Sequence, residues 1–195
     1  MSRVADPNVT IESTHLAGVV VLRAKAIEDD RGFFLEVFRA DRFRELGLPD
    51  RFLQENQSRS RRGVLRGLHF QWDRPMGKLM RVLAGRAFLV AVDIRRGSPT
   101  LGQWYGREVA AEDRLQIWAP PGFARGFCAL SEQAEIEYKC TALYNPAGEG
   151  AIRWDDLAFG IEWPVSAPIL SPKDATAGTF EDWLARNEAA TFTHP

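Results

Sequence analysis

An all-β sandwich or barrel is predicted from three features of the chain. Nine short apolar-rich runs recur, bounded by Gly, Pro, Asn and Asp. Within them side chains alternate with period two, Leu79, Arg81 and Leu83 and then Phe88, Val90 and Val92, as a sheet face requires. Helix signals are confined to two short segments.

Taken in order, Thr10–Glu12 and Gly18–Arg23 read as N-terminal strands, apolar enough to cover the sheet edge of a partner. Phe33–Phe38 follows. Arg39–Leu46 reads as a helix, ended by Gly47 and then Leu48–Pro49. Val64–Phe70, Lys78–Leu83 and Ala87–Ile94 are the next strands. Ala84–Gly85–Arg86 is expected to be a hairpin turn in which Gly supplies the unusual φ. Gln103–Val109, Leu115–Trp118, Gly126–Leu130 and Ile136–Thr141 complete the strand set. Residues 142–175, with Trp154 and Trp163, read as ordered loop packed on the barrel. Phe180–Asn187 reads as a second helix, with Thr179 as N-cap and Glu181 and Asp182 in its first turn. No repeat, low-complexity tract or Gly/Ser linker divides the chain. Residues 1–195 are therefore expected to form one domain, with a C-terminal helix and tail from about 179 to 195.

Composition narrows the class. A chain of 195 residues can bury about 70% of its unfolded surface. Its 45% hydrophobic and 26% charged residues exclude a disordered or fibrous protein. Twenty-five basic against 26 acidic residues leave a net charge of -1, which argues against a nucleic-acid binder. Only four of the basic residues are lysines: Lys25, Lys78, Lys139 and Lys173. The arginine excess suits forked contacts with phosphate or carboxylate, and equally follows from GC-rich codons; alone it decides nothing. No run of 18 apolar residues is present, so no membrane helix is expected. The first 15 residues lack the apolar stretch of a secretory leader. Cys128 and Cys140 make no CxxC, and three histidines are too few for a zinc cluster. Both thiols read as buried small hydrophobes, so the expected compartment is the cytoplasm.

The chain lacks GxGxxG, GxxxxGK[ST], HExxH and GxSxG. What stands out is a polar strand face. Gly67, His69 and Gln71 share one side of a strand whose other side holds Leu68 and Phe70. In an antiparallel barrel such a face borders solvent or a wet ligand cavity. His69 alone would suit a hydrogen-bonded structural histidine. Its company, Arg66 nearby and Lys78 after the Pro75–Met76–Gly77 turn, favours the cavity.

Eight segments extend the pattern: DRGFFLE (30–36), QENQSRSRRGVLRGLHFQ (54–71), GKLMRVLAG (77–85), VAVDIRRGSPTLGQW (90–104), PPGFARGF (120–127), EYKCTALYNP (137–146), IRWDD (152–156) and LSPKD (170–174). In this order, over about residues 10–180, they resemble the dTDP-4-dehydrorhamnose 3,5-epimerase family. The resemblance implies a cupin-type double-stranded β-sandwich (jelly roll) with a few short helices, forming a homodimer. It implies an isomerase acting on a dTDP-4-keto-6-deoxyhexose in deoxysugar, rhamnose-like, biosynthesis. A C4 ketone acidifies the protons on C3 and C5, so a base, an oxyanion partner and an acid suffice, with no cofactor and no metal. His69 resembles the family's base and Asp174 the carboxylate that orients it. Lys78 resembles the cation beside the enolate oxygen, and Tyr138 the acid on the opposite face. Arg31 and Arg66 resemble the arginines that clamp the pyrophosphate. Phe34, Glu36, Gln54 and Asn56 resemble nucleotide-binding residues. Three positions depart from the pattern: Arg125 stands where the family has His, Leu89 where it has Asp, and Ile27 where it has an aromatic residue. Arg125 and Leu89 are expected to rebuild one wall of the sugar site, with Arg125 meeting the substrate. They are also expected to alter which carbons are inverted or which sugar is bound.

Overall fold

The computed structural model describes residues 8–194. Residues 1–7, the start of the stretch read for a leader, and Pro195, the end of the tail, lie outside the described residues. Three short helices and thirteen strands are seen among the described residues. The strands are β1 (Val9–His15), β2 (Val19–Ala24), β3 (Ala26–Asp29), β4 (Gly32–Leu35), β5 (Gln54–Arg61), β6 (Leu65–Gln71) and β7 (Lys78–Ala84). After them come β8 (Arg86–Asp93), β9 (Trp104–Ala110), β10 (Leu115–Ala119), β11 (Phe123–Ala129), β12 (Gln133–Cys140) and β13 (Glu149–Ala151). The helices are α1 (Ala40–Glu45), α2 (Pro172–Ala175) and α3 (Phe180–Ala185).

The strands form two facing antiparallel sheets and a separate hairpin. One sheet has the order β1-β2-β10-β7-β12-β5, the other β13-β6-β11-β8-β9, and β3 pairs only with β4. This is the jelly roll that the resemblance implies, with a core of apolar side chains between the sheets. Met80, Val82 and Ile136 of the first sheet meet Leu89, Ala91, Phe123 and Phe127 of the second.

Both sheets are also covered on their outer faces. Leu68, Phe70, Val90 and Val92 pack under Phe180, Trp183 and Phe192 of the C-terminal segment. Leu22, Leu79 and Trp118 pack under Phe43 and Leu48, around α1. The alternation read from the sequence holds within this double covering. Leu79, Val90 and Val92 face outward under their covers, and the residues between them, Met80, Leu89 and Ala91, face the other sheet.

The expected turn at Ala84–Gly85–Arg86 exists but is no hairpin. β7 and β8 belong to different sheets, so the turn passes the chain across the sandwich. Gly85 is needed there: its φ is +71°, and a Cβ would lie 2.1 Å from the Gln133 carbonyl oxygen. Phe33–Phe38 is shorter than expected, ending as a strand at Leu35, because it pairs with β3 rather than with a main sheet. β3, β5 and β13 were not expected as strands. Thr179 caps α3 as expected, accepting from the Asp182 amide, while the Asp182 carboxylate accepts from Thr179.

Candidate active site

β6 builds the first wall of the site. Leu68 and Phe70 anchor its outer side in the covered core, which leaves His69 facing inward. Against β11 the register slips: Arg125 lies opposite His69, yet Phe127 lies opposite Arg66. The extra residue on β6 is a bulge. Three residues apart on a regular strand, Arg66 and His69 would point to opposite faces; across the bulge both line the same cavity. Gly67 permits it. Its φ is +128°, and a Cβ there would lie 2.6 Å from Gly126 Cα.

The facing wall comes from β7 and β12. Tyr138 lies opposite Met80, and Cys140 opposite Lys78, so Lys78, Met80 and Tyr138 share the inner face of their sheet. The Lys78 ammonium lies 5.5 Å from the centroid of the Tyr138 ring. The 370 Å³ cavity between the walls is lined by His69, Asp174, Lys78, Tyr138, Arg66 and Arg125, with Ser58, Met80 and Phe127 among the others. That volume is at the small end for ligand pockets.

Asp174 arrives from the other end of the sequence on α2. Ser171 caps this helix, its hydroxyl accepting from the Asp174 amide at 3.1 Å and donating to Asp174 Oδ2 at 2.9 Å. The other carboxylate oxygen lies 2.5 Å from His69 Nε2. Asp174 is 3% exposed and the His69 side chain 26%, so the carboxylate is buried behind an imidazole that reaches the cavity. Burial by itself would raise the Asp174 pKa. The hydrogen bond and charge of His69, aided by Ser171, outweigh it and hold the carboxyl below its ordinary value.

Burial pushes the Lys78 ammonium below the usual lysine range, and the charge of Arg125 adds to that. Burial likewise raises the Tyr138 phenol, which keeps its proton at neutral pH. Arg66, which also lines the cavity, donates to Ser60 Oγ at 3.1 Å. The Ser58 hydroxyl lines the cavity with its oxygen buried and unpartnered.

Six of the residues singled out in the sequence thus meet at one cavity. Gln54 and Asn56 stand beside it on β5, where Asn56 lies opposite Tyr138 and Gln54 opposite Cys140. Gln54 donates to Asn56 Oδ1 at 3.1 Å and accepts from the Tyr144 amide at 2.7 Å. Arg31, Phe34 and Glu36 are not brought to the cavity. Arg31 and Phe34 belong to the β3–β4 hairpin, where Phe34 is 65% exposed and Arg31 pairs with Asp29. Glu36 accepts from Asn8 at 3.3 Å and pairs with Arg39. Leu89 is not part of the cavity wall either; it is 1% exposed in the core between the sheets, opposite Phe127. Ser171 and Ser58 escaped the sequence reading. The Ser-x-x-Asp cap of Ser171 was visible in the sequence; nothing local marks Ser58.

A histidine of one sheet held by a buried carboxylate, faced across the cavity by a phenol and an ammonium of the other sheet, is the kind of arrangement found in a jelly-roll enzyme of the acid–base type, since simple binding needs no such pairing. Comparison with known proteins carries this further. The family model of dTDP-4-dehydrorhamnose 3,5-epimerase matches residues 13–182. The dTDP-4-dehydrorhamnose 3,5-epimerase of Salmonella typhimurium is 51% identical over 174 residues, 88% of this chain and 95% of that protein. That of Neisseria gonorrhoeae is 51% identical over 172 residues, 87% of this chain, and this chain spans about half, 52%, of that relative's length. The crystal structure of the dTDP-6-deoxy-D-glucose-3,5-epimerase of Legionella pneumophila, in complex with dTDP-4-keto-L-rhamnose, is 47% identical. It superposes with a TM-score of 0.88, covering 93% of this chain and 96% of that one. The chain belongs to the dTDP-4-dehydrorhamnose 3,5-epimerase family.

Proposed function

We propose that this chain is a nucleotide-sugar epimerase that inverts C3, C5 or both of a dTDP-4-keto-6-deoxyhexose, in deoxysugar biosynthesis of the rhamnose type. The observation that carries the reading is the His69–Asp174 couple facing Lys78 and Tyr138 across one cavity. His69 takes a proton from the carbon beside the C4 ketone, and the electron pair moves to the C4 oxygen. Asp174 orients the imidazole and stabilises its charged form. Lys78 holds the enolate oxygen, and Tyr138 returns a proton from the opposite face. The ketone itself supplies the acidity, so the chain's own residues complete the cycle without a cofactor.

Arg66 is assigned to the diphosphate, with Gln54 and Asn56 at the nucleotide. The cavity is short for a whole nucleotide sugar, which supports placing the nucleotide along β5, beyond the sugar. The reading assigns Arg31, Phe34 and Glu36 to the nucleotide through a second copy of the chain. Phe33, Phe34 and Ile27, each more than half exposed on one hairpin, support a homodimer in which that copy covers them. No helix among the described residues is long and apolar enough to cross a membrane. Two free buried thiols support a reducing compartment, the cytoplasm.

Arg125 favours a second reading in which one carbon alone is inverted, because a guanidinium cannot serve as a base on that wall. Proton NMR of the 4-keto sugar nucleotide with the protein in D₂O tests both. Deuterium entering C3, C5 or both supports an epimerase, and one position alone the narrower form. No exchange at either carbon, with the nucleotide bound, would leave only a binding protein.

A further inference from the structure

Arg125 presents a charge with no counter-charge. Its residue is 4% exposed, and its guanidinium lines the cavity. Nε donates to the Val90 carbonyl at 3.2 Å, and one terminal nitrogen to the Lys78 carbonyl at 3.2 Å. The other terminal nitrogen lies 3.0 Å from Met80 Sδ, a weak acceptor. Burial alone lowers its pKa, to about 10; no carboxylate among the described residues acts on it. It therefore remains a cation at neutral pH.

A buried charge ordinarily sits beside an opposite charge. Asp93 illustrates this in the same sheet: fully buried, it accepts from Arg95, Ser98 and Thr100. Arg125 has two neutral carbonyls and a thioether instead. Three of its five N–H groups are used, and each terminal nitrogen keeps a second one. In register Arg125 lies opposite His69, and it is hydrogen-bonded to the backbone of Lys78 on the other sheet. The guanidinium thus spans from the strand of the base to the strand of the lysine.

We propose that Arg125 is a catalytic residue whose guanidinium, together with the Lys78 ammonium, holds the C4 oxygen of the sugar as that oxygen becomes an enolate. The inference rests on the epimerase reading and deepens it. When His69 removes the proton at C3 or C5, the C–H electron pair forms the enolate double bond and the carbonyl pair moves onto oxygen. The anion formed is the counter-charge that Arg125 lacks in the free protein. When the acid returns a proton to carbon, the pair leaves oxygen again. Nothing is oxidised or reduced. The free protein bears the cost of the lone charge, and the reacting state gains the pairing, which is the condition for lowering a barrier.

The test is Arg125→Met, which keeps the length and removes the charge, beside Arg125→Lys, which restores the charge without the fork. Read-outs are kcat and KM for deuterium exchange at each carbon, the Kd for dTDP, and thermal stability. The expected result for Arg125→Met is a fall in kcat of about 10²–10³-fold with KM little changed. The Kd for dTDP stays as in the unaltered protein, and the melting temperature stays level or rises, because a lone buried charge has gone. Arg125→Lys recovers about tenfold of the lost rate. A merely structural arginine would give the reverse: a lower melting temperature, weaker dTDP binding and no rescue by lysine. That outcome overturns the proposal, as does an unchanged kcat with either variant. No exchange by the unaltered protein overturns the epimerase reading itself and the inference with it.

Discussion

At Asp174 a buried carboxylate ties the catalytic wall to the stability of the molecule. Its pKa is held below the ordinary carboxylate value of about 3.9. A group whose native pKa is depressed stabilises the fold above its unfolded pKa and loses that contribution as pH falls through the native value. Asp174→Asn should therefore cost about 1.5–3 kcal/mol near neutral pH, the usual range for a hydrogen bond to a charged group. Thermal melts of both proteins from pH 7 down to pH 2 should show the gap closing below about pH 4. A gap that stayed constant to pH 2 would mean that the carboxylate charge contributes nothing. Residue identities such as His69, Lys78 and Asp174 were legible because their segments match a family pattern. Ser58 was not, because its place at the cavity depends on β5 pairing with β12, a contact between residues far apart in sequence.

At the level of elements, the bulge on β6 sets the geometry of the site. It turns Arg66 and His69 onto one face, and Gly67 makes room for it against Gly126 and the Arg125 carbonyl. Gly67→Ala should destabilise the fold by about 1–3 kcal/mol, the range for overpacking a tight site. Exchange should also fall, since the strand that moves carries His69, the proposed base. Denaturant unfolding with the exchange assay checks this; unchanged stability would show that the close approach relaxes freely. Elements differed in how plainly they were written. α1 and α3 were marked by Gly47 and by the Thr179 cap, and fell within one or two residues of expectation. β5 was missed because Gln54–Arg61 has no apolar side chain; a strand at a sheet edge with a wet inner face needs none. The alternation along β7 and β8 holds, but both of their sides are buried, so it says nothing about which side is the core.

For the whole molecule, the jelly roll leaves an apolar hairpin outside its cores. The β3–β4 hairpin makes no strand pairing with either main sheet and exposes Phe33 by 64% and Phe34 by 65%. Apolar surface gathered in this way signals an interface. Light scattering at micromolar concentration should give twice the 21.9 kDa chain mass, and Phe33→Ser with Phe34→Ser should shift it toward one chain. A particle of one chain mass from the unaltered protein would contradict the dimer. Such an interface could not be read from the hairpin's sequence alone, because Phe33 and Phe34 look like core residues until the sheets are seen to close without them.

The role of His69 as the base is tested most directly by comparing the unaltered protein with His69→Ala. The measurement is deuterium incorporation at C3 and C5 of dTDP-4-keto-6-deoxyglucose, with dTDP binding measured on the same samples. With His69 as the proposed base and the nucleotide assigned to Arg66, Gln54 and Asn56, exchange should fall by about 10²–10⁴-fold with dTDP affinity retained. Exchange at the unaltered rate in His69→Ala would contradict it, and would assign the base to another residue of the cavity.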